Sequence, residues 1–276
     1  MPTPNASVAP NDRIAAFHAL HRSGCFVIPN PWDLGSARVL AQLGFSALAT
    51  TSSGFAWTQA RADNHITLEQ ALTHLRAMTA SVDVPFNADF EGGFAVKPED
   101  VAANVAAATA TGIAGLSIED STGDDAAPLF DFELAVDRMR AARQAIDASG
   151  TGVLLTGRSE GFVAGRPDLK ETIRRLVAYA EAGAECLFAP GLSSIDDIRA
   201  VVSAVAPKPV NVLVASAFTT VAELEKAGVR RISVGGALAR AAWGAFYEAA
   251  TEIREKGTFT RMAKPVPFTS VNDFFQ

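Results

Sequence analysis

The chain has 276 residues, 49% hydrophobic and 20% charged, which suits one large globular domain whose core needs no disulfide or metal staple. Its net charge is −6 and it carries no Lys/Arg-rich block, which argues against nucleic acid or an anionic membrane as partner. The first residues lack the charged-then-apolar pattern of a signal peptide, and no apolar run is long enough to span a bilayer, so a cytoplasmic protein is expected. Cys25 and Cys186 sit in apolar runs without metal-type spacing and read as buried, reduced thiols.

Short apolar runs recur along the chain with amphipathic stretches between them. A helix over Asn11 to His21 comes first and is placed to plug one end of a barrel. Eight candidate strands follow: Phe26 to Ile28, Ala47 to Ala49, Val84 to Phe86, Gly115 to Ile118, Val153 to Leu155, Cys186 to Phe188, Val210 to Leu213 and Arg231 to Val234. The intervening helices are expected at Leu34–Leu43, Leu68–Ala80, Pro98–Thr109, Phe132–Ala148, Leu169–Ala182, Ile195–Val205 and Val221–Lys226. Thr67-x-x-Gln70 and Lys97-Pro98 are start signals. Gly44, Gly112, Gly183 and Gly228 close helices just before the next strand. Strands alternating with helices imply parallel βαβ units, and eight of them imply a single-domain (β/α)8 TIM-type barrel over residues 12–250. Residues 1–11 are expected to be extended or disordered. Residues 251–276, rich in aromatics, are expected to form an extension packed on the same barrel or on a neighbouring subunit.

Catalytic groups of such barrels lie at the C-terminal ends of the strands. The third strand, whose apolar stretch reaches back from Phe86 to Val82, ends in Asp89-x-Glu91. Strand residues i and i+2 share a face, so these acids converge, either as a solvated acidic turn or around a cation. The neighbouring strand ends weigh towards the cation, because Asp63, Glu119 and Arg158 arrive at the same rim. Oxygen ligands without a nearby His or Cys pair favour Mg2+ or Mn2+. Asp89 is the expected direct ligand, with Glu91, Glu119 and Asp63 holding metal-bound waters. Arg158 offers a fixed fork for a substrate carboxylate or phosphonate. Main-chain amides around Ser53, Gly54 and Phe55 suit another anionic oxygen, and Asn211 a substrate carboxylate. Arg158, Glu119 and Asp63 form the expected catalytic set. The chemistry this favours is formation of an enolate from a 2-oxo acid. Gly235-Gly236 after the last strand reads as a tight-packing turn.

Five motifs in this order carry a family likeness: Thr51-Ser-Ser53-Gly54-Phe-Ala, Asn87-Ala-Asp89-x-Glu91-x-Gly93, Gly115-Leu-x-Ile-Glu119-Asp120, Thr156-Gly-Arg158-x-Glu160 and Pro209-x-Asn211-Val. The chain resembles the isocitrate lyase/phosphoenolpyruvate mutase superfamily over about residues 12 to 250. The resemblance implies a β/α barrel, often a tetramer with a C-terminal helix exchanged between subunits. It also implies Mg2+ near Asp89 with Glu91, Glu119 and Asp63 around it, and substrate held by Ser53, Gly54, Phe55 and Arg158. The chain departs from the pattern after the fourth strand. Relatives that cleave isocitrate or methylisocitrate carry a Lys-x-Cys-Gly-His-type loop whose Cys is the general acid, and phosphonopyruvate enzymes carry a Lys and an Asn-Ser pair. Here the loop from Glu119 to Asp131 has no Cys, His or Lys.

The expected function is a Mg2+-dependent lyase that cleaves a C–C bond in a small 2-oxo or 2-hydroxy acid through a pyruvate-type enolate, with oxaloacetate-type decarboxylation or hydrolysis in the same class. The alternatives are a phosphonopyruvate mutase or hydrolase, and a barrel that binds a metabolite without catalysis. The expected partners are a small carboxylic acid and further copies of the chain, as a dimer or tetramer.

Overall fold

The computed structural model describes residues 9–263 and 265–276. Its strands are β1 (Phe26–Ile28), β2 (Leu48–Ala49), β3 (Phe86–Asp89), β4 (Gly115–Glu119), β5 (Leu154–Arg158), β6 (Cys186–Phe188), β7 (Val210–Leu213) and β8 (Arg231–Ser233). All pair in parallel, in the order β1-β8-β7-β6-β5-β4-β3-β2. The remaining seam, between β1 and β2, is bridged just past β1 by the Ala49 N–H donating to Pro29 O at 3.1 Å. Asn30 reinforces it. Its Oδ1 accepts the N–H groups of Val234 and Gly235 at 2.9 and 2.8 Å, and its Nδ2 donates to Thr50 O at 2.9 Å. One side chain thus ties the ends of β8, β1 and β2 together. The result is a single-domain, nearly closed (β/α)8 TIM-type barrel.

The helices are α1 (Pro10–Leu20), α2 (Leu34–Gln42), α3 (Ser52–Thr58), α4 (Leu68–Ser81), α5 (Pro98–Thr109), α6 (Phe132–Ser149), α7 (Leu169–Glu181), α8 (Ile195–Val205), α9 (Val221–Lys226), α10 (Ala237–Lys256) and α11 (Phe268–Asp273). Capping boxes open α4 at Thr67 and α9 at Thr220, and Pro98 leads α5. Asp33 caps α2 by accepting the Ser36 N–H. Helix α1 crosses the N-terminal end of the barrel. Its Phe17 is fully buried and fills the place a Cβ on Gly115 would occupy, 2.6 Å from that position, so the first residue of β4 must be glycine. The open end is therefore the C-terminal rim.

Two elements differ from the sequence reading. β3 begins at Phe86 rather than Val82, because Pro85 has no N–H to give a ladder and only its carbonyl pairs, accepting from Leu48. The strand consequently runs on to Asp89. The stretch after β2, expected as a loop, forms the two-turn helix α3, started by Thr51, whose Oγ1 accepts the Gly54 N–H at 3.3 Å.

Residues 1–8 of the expected N-terminal stretch lie outside the described residues, and α1 begins at Pro10. At the other end α10 continues through Lys256 and leads into a 3-10 turn at Thr260–Met262. Glu252 fastens that turn by accepting the Thr258 hydroxyl (2.6 Å), the Thr260 N–H (3.0 Å) and the Arg261 N–H (2.8 Å), bonds that hold its carboxyl down at about 2. The tip of the chain returns to its own barrel, where Gln42 Nε2 donates to Phe274 O at 2.8 Å and the Phe275 ring lies against Gly35. Phe246, Tyr247, Phe259 and Phe268 on α10 and beyond remain exposed. Cys186 is buried and Cys25 only half-buried; both are free thiols. No described helix is long and apolar enough to cross a membrane.

Asn30→Ala would leave two main-chain N–H groups and one carbonyl at the seam without their partner. We expect a loss on the order of 3 kcal/mol in urea unfolding; a change within about 0.5 kcal/mol would show that the seam does not depend on this side chain.

Candidate active site

The parallel register brings Asp89 beside Ser117, Glu119 beside Arg158 and Arg158 beside Phe188. The functional side chains are therefore the last residues of β3, β4 and β5. Arg158 Nη1 lies 3.0 Å from Glu119 Oε2 and 3.2 Å from Asp89 Oδ1, while Nε donates in a short bond to Glu160 Oε1. Its Cζ sits 5.3 Å from the centre of the Phe188 ring. The other oxygen of Asp89 accepts both the N–H and the hydroxyl of Ser52 at 2.9 Å.

One guanidinium thus faces three carboxylates directly, with Glu91 and Asp63 close by, and the electrostatics follow. Burial works against the charge on Arg158, but Glu119, Glu160 and Asp89 outweigh it and keep the group protonated. Burial pushes the Glu119 and Glu160 carboxyls up, with Arg158 opposing the rise in each. Glu91 is pushed up to about 8, first by burial and then by Asp89 and Asp63, and its Oε1 is buried without a hydrogen-bond partner. Asp63, at the exposed edge, is raised by desolvation of its carboxyl against the pocket wall and by Asp89. Glu91 lies beyond the end of β3 with φ +47, so it approaches Asp89 through a turn and not through the strand alternation expected from sequence.

The pocket enclosed here has a volume of about 190 Å3. Ser53, Asp63, Asp89 and Arg158 line its mouth, and Asn87, Ser117, Asn211 and Arg231 its floor. Of the expected Ser53-Gly54-Phe55 cradle, only Ser53 lines the cavity. The Gly54 and Phe55 N–H groups are used by Thr51 within α3, and the Phe55 ring turns away to stack on His74 at 3.8 Å. Gly236 closes the wall opposite, where a Cβ would stand 3.0 Å from Ser53 Oγ. Asn211 lies deep in the barrel, with its Nδ2 donating to Ser233 Oγ and its Oδ1 accepting from Arg231 Nε, both at 2.9 Å.

Several supporting residues escaped the sequence reading. Asp120 accepts the Glu160 N–H at 2.7 Å, Arg175 Nη1 at 3.0 Å and the Tyr179 hydroxyl at 2.6 Å, which fixes the turn that presents Glu160 to Arg158. The signal available was the adjacent acids Glu119-Asp120, whose side chains must leave a strand on opposite faces. Arg138 donates to the carbonyls of Gly92, Ala95 and Val96 and holds the loop that carries Glu91. Nothing in its helical setting distinguishes it from a solvated arginine. The loop after β4 closes on itself, with Ser121 and Leu129 bridged and Thr122 bonded to Pro128 and Ala127. It brings no Cys, His or Lys to the acids.

Among the described residues no three His, Cys, Asp or Glu side chains stand ready to chelate a metal together. A hydrated hard cation asks for less, one or two carboxylates with the rest of its shell as water. The all-oxygen donor set, the excess of acids over Arg158 and the orphaned Glu91 Oε1 fit such an ion.

A (β/α)8 barrel with acids and one arginine at its C-terminal rim defines the class: barrels whose chemistry is carried by strand-end side chains. Within that class the profile of the phosphoenolpyruvate phosphomutase family matches residues 17–254, and the chain belongs to this family of the isocitrate lyase/phosphoenolpyruvate mutase superfamily. A crystal structure from Burkholderia cenocepacia J2315, described only as a lyase/mutase, superposes with a TM-score of 0.93 at 45% identity, covering 96% of this chain and 97% of that one. An uncharacterized protein of Mycobacterium tuberculosis is 31% identical over 93% of this chain and 94% of its own length. The oxaloacetate decarboxylase of Bradyrhizobium diazoefficiens is 29% identical over 66% of this chain and 64% of its own. Superfamily members act as lyases or mutases on C–C or C–P bonds.

The raised carboxyl of Glu91 makes a pH prediction. With a folded value of about 8 against an ordinary 4.5, the folded chain holds a proton that the unfolded chain has lost, so stability falls as pH rises through that window. In EDTA the urea midpoint should drop between pH 5 and pH 8, and Glu91→Gln should drop less; the slope does not vanish, because Asp63, Glu119 and Glu160 are raised too. Identical slopes would remove Glu91 from the account.

Proposed function

We propose that this protein is a Mg2+-dependent lyase acting on a small 2-oxo or 2-hydroxy carboxylic acid, with C–C cleavage through a pyruvate-type enolate. The observation that carries the reading is the clamp at the strand ends. Arg158 is held by Asp89, Glu119 and Glu160 through Nη1 and Nε, so that Nη2 has no partner among the described residues. A guanidinium immobilised in this way presents its free edge to a substrate carboxylate at little further entropic cost. Ser53, with its hydroxyl at the pocket mouth, donates to a second oxygen.

Asp89 would hold Mg2+ directly, and Glu91, Glu119 and Asp63 would hold it through waters. When bound, the ion supplies Lewis-acid stabilisation of negative charge developing on a substrate oxygen. Phe188 screens one side of Arg158 from water and keeps its attraction for the carboxylate strong.

The loop from Ser121 to Asp131 favours one branch of this class. A retro-aldol cleavage of isocitrate type needs an acid to protonate the departing carbanion, and this loop offers none of the usual donors. Decarboxylation of an oxaloacetate-like acid releases CO2 and leaves an enolate that water can protonate. The resemblance to an oxaloacetate decarboxylase is in keeping with that branch. Asp124 and Asp125 make the loop a poor host for a phosphonate dianion, which disfavours phosphonopyruvate chemistry. The exposed Phe246, Tyr247, Phe259 and Phe268 favour association with further copies of the chain.

Pyruvate release from oxaloacetate, 2-methylisocitrate, a dimethylmalate and phosphonopyruvate, measured with Mg2+ and with EDTA, separates the readings. We expect Mg2+-dependent pyruvate from the first acid and none from phosphonopyruvate; the reverse pattern would move the protein to P–C chemistry. No consumption of any of these acids by NMR, with oxalate still binding in calorimetry, would leave a metabolite-binding barrel. Asp89→Ala is expected to abolish Mg2+-dependent oxalate binding, and unchanged affinity would remove the metal reading. Arg158→Lys should lower kcat/KM by roughly 100-fold or more, because the fork that fixes the carboxylate is lost. Light scattering at micromolar concentration should report a dimer or tetramer, and a monomer would sink the association.

A further inference from the structure

The floor of the pocket holds a second arginine whose setting differs from that of Arg158. Arg231, the first residue of β8, is 3% exposed and crosses the barrel axis. Its Nε donates to Asn211 Oδ1 at 2.9 Å and its Nη2 to Thr156 Oγ1 at 3.1 Å. Its Nη1 meets His21 Nε2 at 3.3 Å and, at the long limit, Asn87 Oδ1 at 3.5 Å. His21 Nδ1 must carry its proton, because it donates to Phe17 O at 2.8 Å, so Nε2 accepts from Arg231 and the ring is neutral. Every partner of Arg231 is thus uncharged, and it makes no ion pair with any described carboxylate.

A buried guanidinium without a counter-ion is costly, and the cost must be offset somewhere. Arg138 illustrates a structural solution, with Nη1 and Nη2 spent on three main-chain carbonyls. Arg231 is arranged otherwise. It forms part of the pocket wall together with Asn211, Ser233 and Ser117, and one Nη2 proton has no acceptor among the described residues. The level of Asn87, which Arg231 touches, is two residues below Asp89 on β3, about 6.6 Å of strand rise. A short diacid anchored at the mouth by one carboxylate reaches the floor with the other.

We propose that Arg231 is the specificity residue for a second, distal carboxylate, and that the pocket selects short dicarboxylic acids over monocarboxylic acids of the same shape. The inference deepens the proposed function, on which its placement of the first carboxylate rests. The guanidinium supplies the countercharge and its free Nη2 proton a hydrogen bond, while Asn211 and Thr156 hold it rigid.

The test uses ligands that differ only at that end. Malate and 2-hydroxybutyrate share a skeleton but carry carboxylate and methyl respectively. By calorimetry in Mg2+, the wild-type protein should bind malate at least tenfold more tightly than 2-hydroxybutyrate; equal affinities would overturn the proposal without any variant. Arg231→Met, which trades the buried cation for an apolar chain, should abolish that preference and leave oxalate, which reaches only the mouth, within about twofold. Loss of oxalate and malate in equal measure from a folded variant would make Arg231 a structural residue and also overturn the proposal. Failure of the wild-type protein to bind oxalate would instead count against the proposed function, and the malate preference would still decide this one.

Discussion

The rim of this barrel is organised by one charge imbalance. Among the described residues Arg158 is the only cation in direct contact with Asp89, Glu119 and Glu160, and Glu91 and Asp63 add to the negative side. Much of the surrounding structure reads as a means of keeping these groups together despite their repulsion. Ser52 gives two donors to Asp89, Asp120 fixes the turn that carries Glu160, and Arg138 clasps the loop that carries Glu91. Relaxing any of these would let the acids separate and hydrate individually, as exposed carboxylates do. A rim held under such repulsion favours the approach of a further positive charge, and the free edge of its guanidinium suits an anion.

The fold was largely legible from sequence, for a physical reason. Most strands start with residues packed in the core, and those apolar runs marked Val153 to Leu155 and Gly115 to Ile118 at once. What the runs understated is where the strands end. β5 continues through Thr156 and Gly157 to Arg158, and β4 to Glu119, because the last residues face a polar pocket and so look like loop. The site residues are therefore strand residues that the hydrophobic pattern excludes. α3 went unread because its Thr-Ser-Ser-Gly start has poor helix propensity, and the close approach of Trp32 to Gly54 is a tertiary fact. That helix withdrew the Gly54 and Phe55 amides from the expected cradle. The convergence of Asp89 with Glu91 was anticipated, but the strand alternation invoked for it was not the cause. Arg231 lay inside a predicted strand, where a charged residue is a warning; only the partners contributed by α1, β3, β5 and β7 show what surrounds it.

The lower half of the pocket complements the upper. At the mouth charge is dense and partly solvated, and at the floor a single guanidinium is dry and bonded to neutral groups. Helix α1 makes the difference possible, since Phe17 and His21 close the N-terminal end and keep water from Arg231. The Asn30 clip does the corresponding work at the seam, where only two short strands meet.

From Ser121 to Leu129 the loop after β4 makes its side-chain and turn hydrogen bonds within itself, from the Ser121–Leu129 bridge to the Thr122 and Asp124 turns, and lends none to the carboxylates behind it. It is a detachable module in the evolutionary sense. A lineage could rewrite this segment, gaining or losing a proton donor, while Asp89, Glu119 and Arg158 stay where the strand ends put them. Reaction type and substrate grip can then drift independently, and the same barrel can be inherited by enzymes that share a first carbon–oxygen contact and diverge in the bond they break.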